Sequence, residues 1–129
     1  MQQQEQRIGR RTWVFATGHM ALGSTGEEPE FTSRDELCVV NTGSSGACLE
    51  VVVYHQDKDP VGPYEIEVPA RRMRAVRING LIDPEAVPLA QPYAMVVTSD
   101  EPVVVQLRHV DTRQAAQAVA LLPGWSGEA

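Results

Sequence analysis

Short runs of alternating apolar and polar residues, separated by clusters of Gly, Pro, Ser and Asn, set the strongest limit on the fold of this chain. In the clearest run, Ala47–His55, Leu49, Val51 and Val53 lie on one face of a strand and are expected in the core. Turn signals recur about every 8 to 12 residues without βαβ alternation. The sequence therefore predicts an all-β fold, an antiparallel β-sandwich of about seven to eight short strands with a short C-terminal helix or tail.

Seven segments are predicted as strands because β-branched and aromatic residues dominate or alternate in them. They are Thr12–Ala16, Glu36–Asn41, Ala47–His55, Tyr64–Val68, Met73–Asn79, Tyr93–Thr98 and Val103–Val110. The second and third are expected to form a hairpin across Asn41–Gly46, and Ser99–Pro102 is expected to be a tight turn. The glycine-containing stretch Thr17–Pro29 is predicted as a long surface loop, and the proline-containing stretch Leu81–Pro92 is predicted to be irregular, with room for one helical turn started by Pro84.

The end of the chain has a different composition. Thr112–Leu122 is rich in Ala, Gln and Leu, follows a candidate N-cap at Asp111 or Thr112, and precedes Pro123-Gly124, which would stop a helix. We predict a short helix here whose apolar face covers the sheet or meets another subunit. The domain prediction is a flexible N-terminal tail over 1–8, a single sandwich domain over 9–122 and a flexible C-terminal tail over 123–129.

Composition limits the function classes. A chain of 129 residues is expected to form one domain whose core needs no disulfide or structural metal to stabilise it. No apolar run is long enough to span a bilayer. The polar start has no apolar stretch typical of a secretion signal, so the protein is expected in the cytoplasm. A net charge of -6 argues against DNA binding, which needs a basic face.

No residue pattern indicates catalysis or a metal. The histidines His19, His55 and His109 lack metal-site spacing, and no nucleophile, base and orienting group follow a recognisable pattern. We therefore predict a non-enzyme with no cofactor and no metal. Cys38 and Cys48 match no zinc spacing either, and both are expected to be reduced, small, buried apolar residues.

A cluster of arginines gives the candidate partner-binding residues. These are Arg71, Arg72, Arg74 and Arg77, with Lys58 added from the preceding loop. Charge complementarity mostly sets partner choice and encounter rate, so this basic patch on an acidic protein suits contact with a receptor or a downstream protein. The alternative is that the arginines are solvated strand residues that pair with Glu65 and Glu67 across a hairpin.

Aromatic residues give the candidate ligand-binding residues. Trp13 and Tyr64, together with Arg77, are expected near a pocket formed by the long loops, because loop ends of sandwiches commonly hold such sites. The alternative is that most aromatic residues belong to the core. Trp125, in a polar glycine-containing end, is the aromatic residue most expected to be exposed.

Asp57–Tyr64 is predicted to be a loop of fixed shape between two strands. Two prolines flank Val61 and Gly62, and proline fixes φ and lacks a backbone donor. The Pro60–Pro63 core is therefore expected to join neither a helix nor a β-ladder. Loops held in one conformation often carry a site or a subunit contact.

The same stretch carries a resemblance to a known family, the soluble sensory rhodopsin transducers. The matching residues cover about Gly9 to Leu122 and include the following motifs: Pro29-Glu30-Phe31, Asp57-Lys58-Asp59-Pro60-Val61-Gly62-Pro63-Tyr64, Val68-Pro69-Ala70-Arg71-Arg72, Val76-Arg77, Asp83-Pro84, Pro102–Gln106 and Asp111-Thr112-Arg113-Gln114-Ala115. Cys38 and Asn41 match as well.

This resemblance implies a cytoplasmic β-sandwich that assembles as a homotetramer. The family's namesake docks on the cytoplasmic side of a microbial sensory rhodopsin and relays the light signal. Relatives are also thought to bind a small molecule such as a sugar, or to act on DNA. The expected function is thus a non-enzymatic signalling adaptor with a membrane receptor as partner, and the alternative is a small-molecule binding module of the same fold.

Overall fold

The computed structural model describes residues 7–20, 33–111 and 118–128. These residues form eight strands, which are β1 Arg10–His19, β2 Arg34–Asn41, β3 Ala47–Tyr54, β4 Val61–Val68, β5 Arg72–Arg77, β6 Pro92–Asp111, β7 Ala118–Leu122 and β8 Trp125–Gly127. A short 3₁₀-helix spans Ile78–Gly80. Nothing helical in the described residues has the length and apolarity to cross a membrane.

All strand pairs are antiparallel, and the strands form two sheets that share β6. Sheet A has the order β4-β3-β6-β1-β8, and sheet B is built from β5, β2, β6 and β7. The all-β, sandwich-like prediction is therefore confirmed. Because β6 is the only strand paired in both sheets among the described residues, it joins the two layers.

The two halves of β6 pair with different strands. Its first half pairs with β3 as far as Ser99, and its second half pairs with β2 from Val104 onward. Tyr93 and His109 are sixteen positions apart on this strand, which in a straight strand would separate them by about 53 Å. Both nevertheless contact the side chain of Asp35. The strand must therefore bend sharply between its halves.

One apolar core lies between the sheets. Sheet A contributes Leu49, Val51 and Val53 from β3, which are at most 1% exposed, and sheet B contributes residues such as Leu37 and Leu107 to the same cluster. The predicted core face of β3 is confirmed. Burial of these side chains supplies most of the free energy that holds the layers together, at about 25 cal/mol per Å² of apolar surface.

Four local predictions are wrong. The second and third predicted strands do not form a hairpin, because β2 lies in sheet B and β3 in sheet A. The two strands predicted around Ser99–Pro102 are one bent strand, β6. Val61 pairs with Val53 and begins β4, so part of the proline-containing core does join a ladder, at the edge of sheet A where a missing donor is tolerated.

The fourth wrong prediction is the C-terminal helix. Ala118–Leu122 forms strand β7, paired with the end of β6, and the rest of the predicted helix lies outside the described residues. Beyond it, Trp125–Gly127, which the sequence analysis placed in the C-terminal tail, pairs with β1 as strand β8. The division of the chain into a domain and two tails stays a prediction.

Candidate functional site

The arginines of the predicted basic patch lie on and beside the edge strand β5. Arg71 is in the turn that leads from β4 and has a left-handed backbone conformation, with φ of 56°. Arg72 and Arg74 are exposed, and Arg77 is half-buried. Arg74 Nη1 donates to the Glu67 carbonyl of β4 at 2.9 Å. The structure thus brings Arg71, Arg72 and Arg74 together at one margin of the molecule.

The two faces of β5 carry different side chains. Val76 lies opposite the buried Leu37, so Arg72 and Arg74, four and two positions away, share the inner side of the strand. Met73, Ala75 and Arg77 therefore point to the outer side of sheet B. The predicted patch is consequently split, with Arg77 on the opposite side of the strand from Arg72 and Arg74.

Lys58 lies away from the arginines. It belongs to the β3–β4 connection, whereas Arg71 follows the other end of β4. The eight residues of β4 separate the two ends by about 23 Å. Lys58 Nζ lies 2.8 Å from Glu85 Oε1, and this hydrogen bond raises the pKa of Lys58 and lowers that of Glu85. The structure therefore does not bring Lys58 into the basic patch.

An apolar groove opens on the outer side of sheet B next to β5. We call it the outer groove, and its lining includes Cys38, Val40, Met73, Val104 and Gln106. Met73, on the edge strand beside this groove, is 62% exposed. Burial, followed by the negative charge of Glu36, raises the pKa of the Cys38 thiol, which keeps this wall of the groove uncharged.

An ion cluster in which two of the three side chains are buried lies further along the same outer side. Glu36 Oε1 accepts a hydrogen bond from Arg108 Nε at 2.9 Å, contacts Arg108 Nη2, and lies 3.3 Å from Arg34 Nε. Glu36 and Arg34 are only 9% and 7% exposed. We call Glu36, Arg34 and Arg108 the Glu36 cluster. It ties the start of β2 to β6.

A second polar centre lies on the inner side, where both sheets and β1 meet. Asp35 is fully buried, and its carboxylate accepts from the Tyr93 hydroxyl at 2.5 Å and from the His19 backbone N–H at 3.1 Å. His109 Nδ1 lies 2.6 Å from Asp35 Oδ1, and because a carboxylate offers only acceptors, Nδ1 is the donor. We call these groups the Asp35 centre. It fixes both halves of β6 to β2.

The Asp35 centre predicts a loss of stability in alkali. Burial, then the charge of Asp35 and the hydrogen bond to it, raises the pKa of Tyr93. A tyrosine in the unfolded chain ionises near pH 10, so this stabilisation is complete below about pH 10 and is lost as the pH rises further, by up to about 1.4 kcal/mol per pH unit. We expect Tyr93→Phe to flatten this decline in urea unfolding at stepped pH. Tyr54→Phe, at an exposed tyrosine, is the control, and an equal decline in both variants would contradict the prediction.

The predicted ligand-binding residues are spread out. Trp13 and Tyr64 lie in one cross-sheet row, Trp13-Val97-Val51-Tyr64, so three strand spacings separate them by about 14 Å. Tyr64 is 1% exposed and its hydroxyl donates to the Glu85 carbonyl at 2.5 Å. Trp13 packs against the core, and its Nε1 donates to the carbonyls of Arg10 and Val103. Arg77, the third predicted ligand-binding residue, lies in sheet B, whereas Trp13 and Tyr64 lie in sheet A.

The two cysteines lie in different surroundings. Both cysteines were expected to be buried, but Cys38 is only half-buried and Cys48 is exposed, so the prediction is wrong for Cys48. Both are free thiols, and they lie in different sheets. The described residues contain no group of three His, Cys, Asp or Glu side chains that could hold a metal ion. The prediction that Trp125 is exposed is confirmed at 62%.

The Asp35 centre and the Glu36 cluster were missed by sequence reasoning. A signal was present in the alternation of β6, because the apolar residues Val103, Val105 and Leu107 recur at every second position and His109 continues their spacing. A histidine on a core face needs a buried partner. The run Arg34-Asp35-Glu36 shows no alternation, however, and nothing in it indicated that all three side chains are buried.

Comparison with known proteins assigns the family. A family model described as "Anabaena sensory rhodopsin transducer" matches residues 8–125. A solved structure of the Anabaena sensory rhodopsin transducer is 43% identical, with coverage of 85% of this chain and 96% of that one and a TM-score of 0.74. The solved structure of Thermotoga maritima 1070 is 28% identical, covers 93% and 97%, and has a TM-score of 0.80. No curated protein matches. This chain belongs to the Anabaena sensory rhodopsin transducer family.

Proposed function

We propose that this protein is a non-enzymatic signalling adaptor that relays a signal by protein–protein contact through the arginines beside β5. The observation that carries the proposal is the local charge. Ala70–Arg77 contains four arginines and no acidic residue, on a chain with a net charge of -6. Arg71, Arg72 and Arg74 are all exposed. Such a local reversal of sign favours one orientation of an incoming acidic partner.

Family membership supports a receptor as that partner. The relative at 43% identity is named as a sensory rhodopsin transducer. We infer that this chain works in the cytoplasm as a homotetramer and contacts the cytoplasmic side of a membrane receptor such as a sensory rhodopsin. The basic patch is the part of the described surface whose charge suits such a contact.

The proposal is tested by charge reversal. We expect Arg71→Glu with Arg72→Glu to weaken binding to a sensory rhodopsin held in lipid nanodiscs by about tenfold or more, because glutamates at these positions would repel the acidic partner surface that the proposal requires. Wild-type binding should weaken as salt rises. Surface plasmon resonance at stepped salt measures both effects.

A variant with the same change in net charge is the control. Arg10→Glu with Arg11→Glu alters two exposed arginines at the start of β1, and we expect it to keep most of the binding. Equal binding by wild type and by the Arg71/Arg72 variant would contradict the assignment of the patch. Absence of any rhodopsin binding would contradict the choice of receptor.

Binding of a small molecule, including a carbohydrate, stays an alternative prediction. The positions of the residues expected to bind a ligand support this alternative less than the exposed arginines support the adaptor function. Tyr64 is buried with its hydroxyl engaged, and about 14 Å separates it from Trp13. We therefore assign the signalling function to the surface at β5.

A further inference from the structure

The edge strand β5 is paired along one side only. All six of its residues are in register with β2, from Arg72 opposite Asn41 to Arg77 opposite Glu36. On its other side, β5 has no strand partner among the described strands. Its backbone N–H and C=O groups on that side can therefore accept another strand.

The side chains of β5 favour a particular kind of added strand. Among its four exposed positions, Arg72 and Arg74 on the inner side are cationic, while Met73 and Ala75 on the outer side are apolar. The outer groove continues from Met73 across Val40 to Val104, since these three residues form one cross-strand row. An incoming strand would thus meet positive charge on one face and an apolar surface on the other.

The charge of β5 indicates which kind of strand can pair with its open edge. If the β5 edges of two copies of this chain paired with each other, arginines would face arginines, which is unfavourable across neighbouring strands. An acidic strand would instead place its carboxylates beside Arg72 and Arg74. Arg71 adds a third exposed cation at the end of the strand.

We propose that β5 binds an extended segment of the partner protein by strand addition, and that in this segment acidic residues alternate with apolar ones. The acidic residues lie beside Arg72 and Arg74, and the apolar residues extend the surface formed by Met73 and the outer groove. This inference rests on the proposed adaptor function and specifies how its partner is recognised. Backbone hydrogen bonds supply affinity, and the alternating side chains supply specificity.

The test uses synthetic peptides and fluorescence anisotropy. The probe is a fluorescein-labelled peptide with Glu and Val alternating over six residues between Gly-Ser flanks. The first control has the same composition with the three Glu and the three Val in separate blocks, and the second has Lys in place of Glu. We expect saturable binding of the alternating peptide and at least about tenfold weaker binding of both controls.

Backbone methylation separates strand addition from simple charge attraction. Every second amide of an added strand points toward β5, so N-methylation of one alternate set should abolish binding while methylation of the other set should be tolerated. Met73→Asp and Arg72→Glu should each weaken binding by about tenfold. Arg11→Glu, at an exposed position in β1, should leave it unchanged.

Three results would overturn the proposal. The first is that the alternating peptide does not bind at millimolar concentration, and the second is that methylation of either set of amides has the same effect. The third is that Met73→Asp dissociates an oligomer of this chain in sedimentation, because that result would assign the surface to a second copy. The receptor-binding experiment tests the adaptor function independently of the peptide experiment. If the peptides fail while receptor binding still requires Arg71 and Arg72, the adaptor function stands and strand addition is wrong.

Discussion

Replacing Asp35 by alanine is expected to lower the free energy of unfolding by about 4 kcal/mol, the largest effect predicted for a single polar residue here. The substitution removes the acceptor shared by the His109 ring, the Tyr93 hydroxyl and the His19 backbone N–H. Each donor would then be buried or half-buried without its partner, at about 1 to 3 kcal/mol for a buried group. Urea unfolding followed by circular dichroism measures the loss.

A milder variant keeps this prediction testable if the alanine variant does not fold. Asp35→Asn retains one carbonyl acceptor but presents an amide donor to the remaining groups, so we expect a loss of about 2 kcal/mol. Asp57→Asn changes an exposed carboxylate and should shift stability by less than about 0.5 kcal/mol. A loss below about 1 kcal/mol for Asp35→Ala would show that the centre does not hold the two halves of β6 together.

Alternation predicted which strand faces are buried but not which strands pair. The core residues of β3 were recognised from period two alone. The expected hairpin of β2 with β3 was wrong because the Asn41–Gly46 connection passes from one sheet to the other. A turn composition indicates that the chain changes direction, and it is compatible with both a hairpin and a sheet-to-sheet crossing.

Local propensity failed where tertiary pairing was stronger. Ala118–Leu122 has a helix-forming composition, yet it pairs with Leu107–Asp111 as β7. Helix propensities differ by less than about 1 kcal/mol per residue among ordinary residues, so a long neighbouring strand with free backbone groups can override them. The same effect keeps Ser99–Pro102 within β6, where Arg10 pairs with Val103 at the bend.

The candidate site shows a similar division. The arginines near β5 could be named from the sequence because exposed charge is visible as a cluster along the chain. The Asp35 centre could not, since it combines a backbone N–H of β1 with side chains of β2 and of both halves of β6, and the bend that unites them depends on the whole fold. Contacts between residues so distant in sequence leave only an indirect signal, a polar residue at a core position.

Replacing Glu36 by glutamine is expected to lower the free energy of unfolding by about 3 kcal/mol. The neutral amide no longer balances the guanidinium groups of Arg34 and Arg108, and Arg34 is only 7% exposed, so water compensates little for the lost charge. Glu50→Gln is the matched control on the exposed side of sheet A. Because Glu50 lies directly opposite Glu65, its neutralisation should leave stability unchanged or slightly higher.

A double-mutant cycle would show whether the loss comes from an unbalanced buried charge. Arg34→Met alone leaves Glu36 paired with Arg108, while Glu36→Gln alone leaves both guanidinium groups without their shared carboxylate. If Coulombic coupling dominates, the double variant should lose less stability than the sum of the single losses, by about 1 kcal/mol or more. Strict additivity would contradict this explanation. It would mean that Glu36 and Arg34 contribute to stability independently of each other.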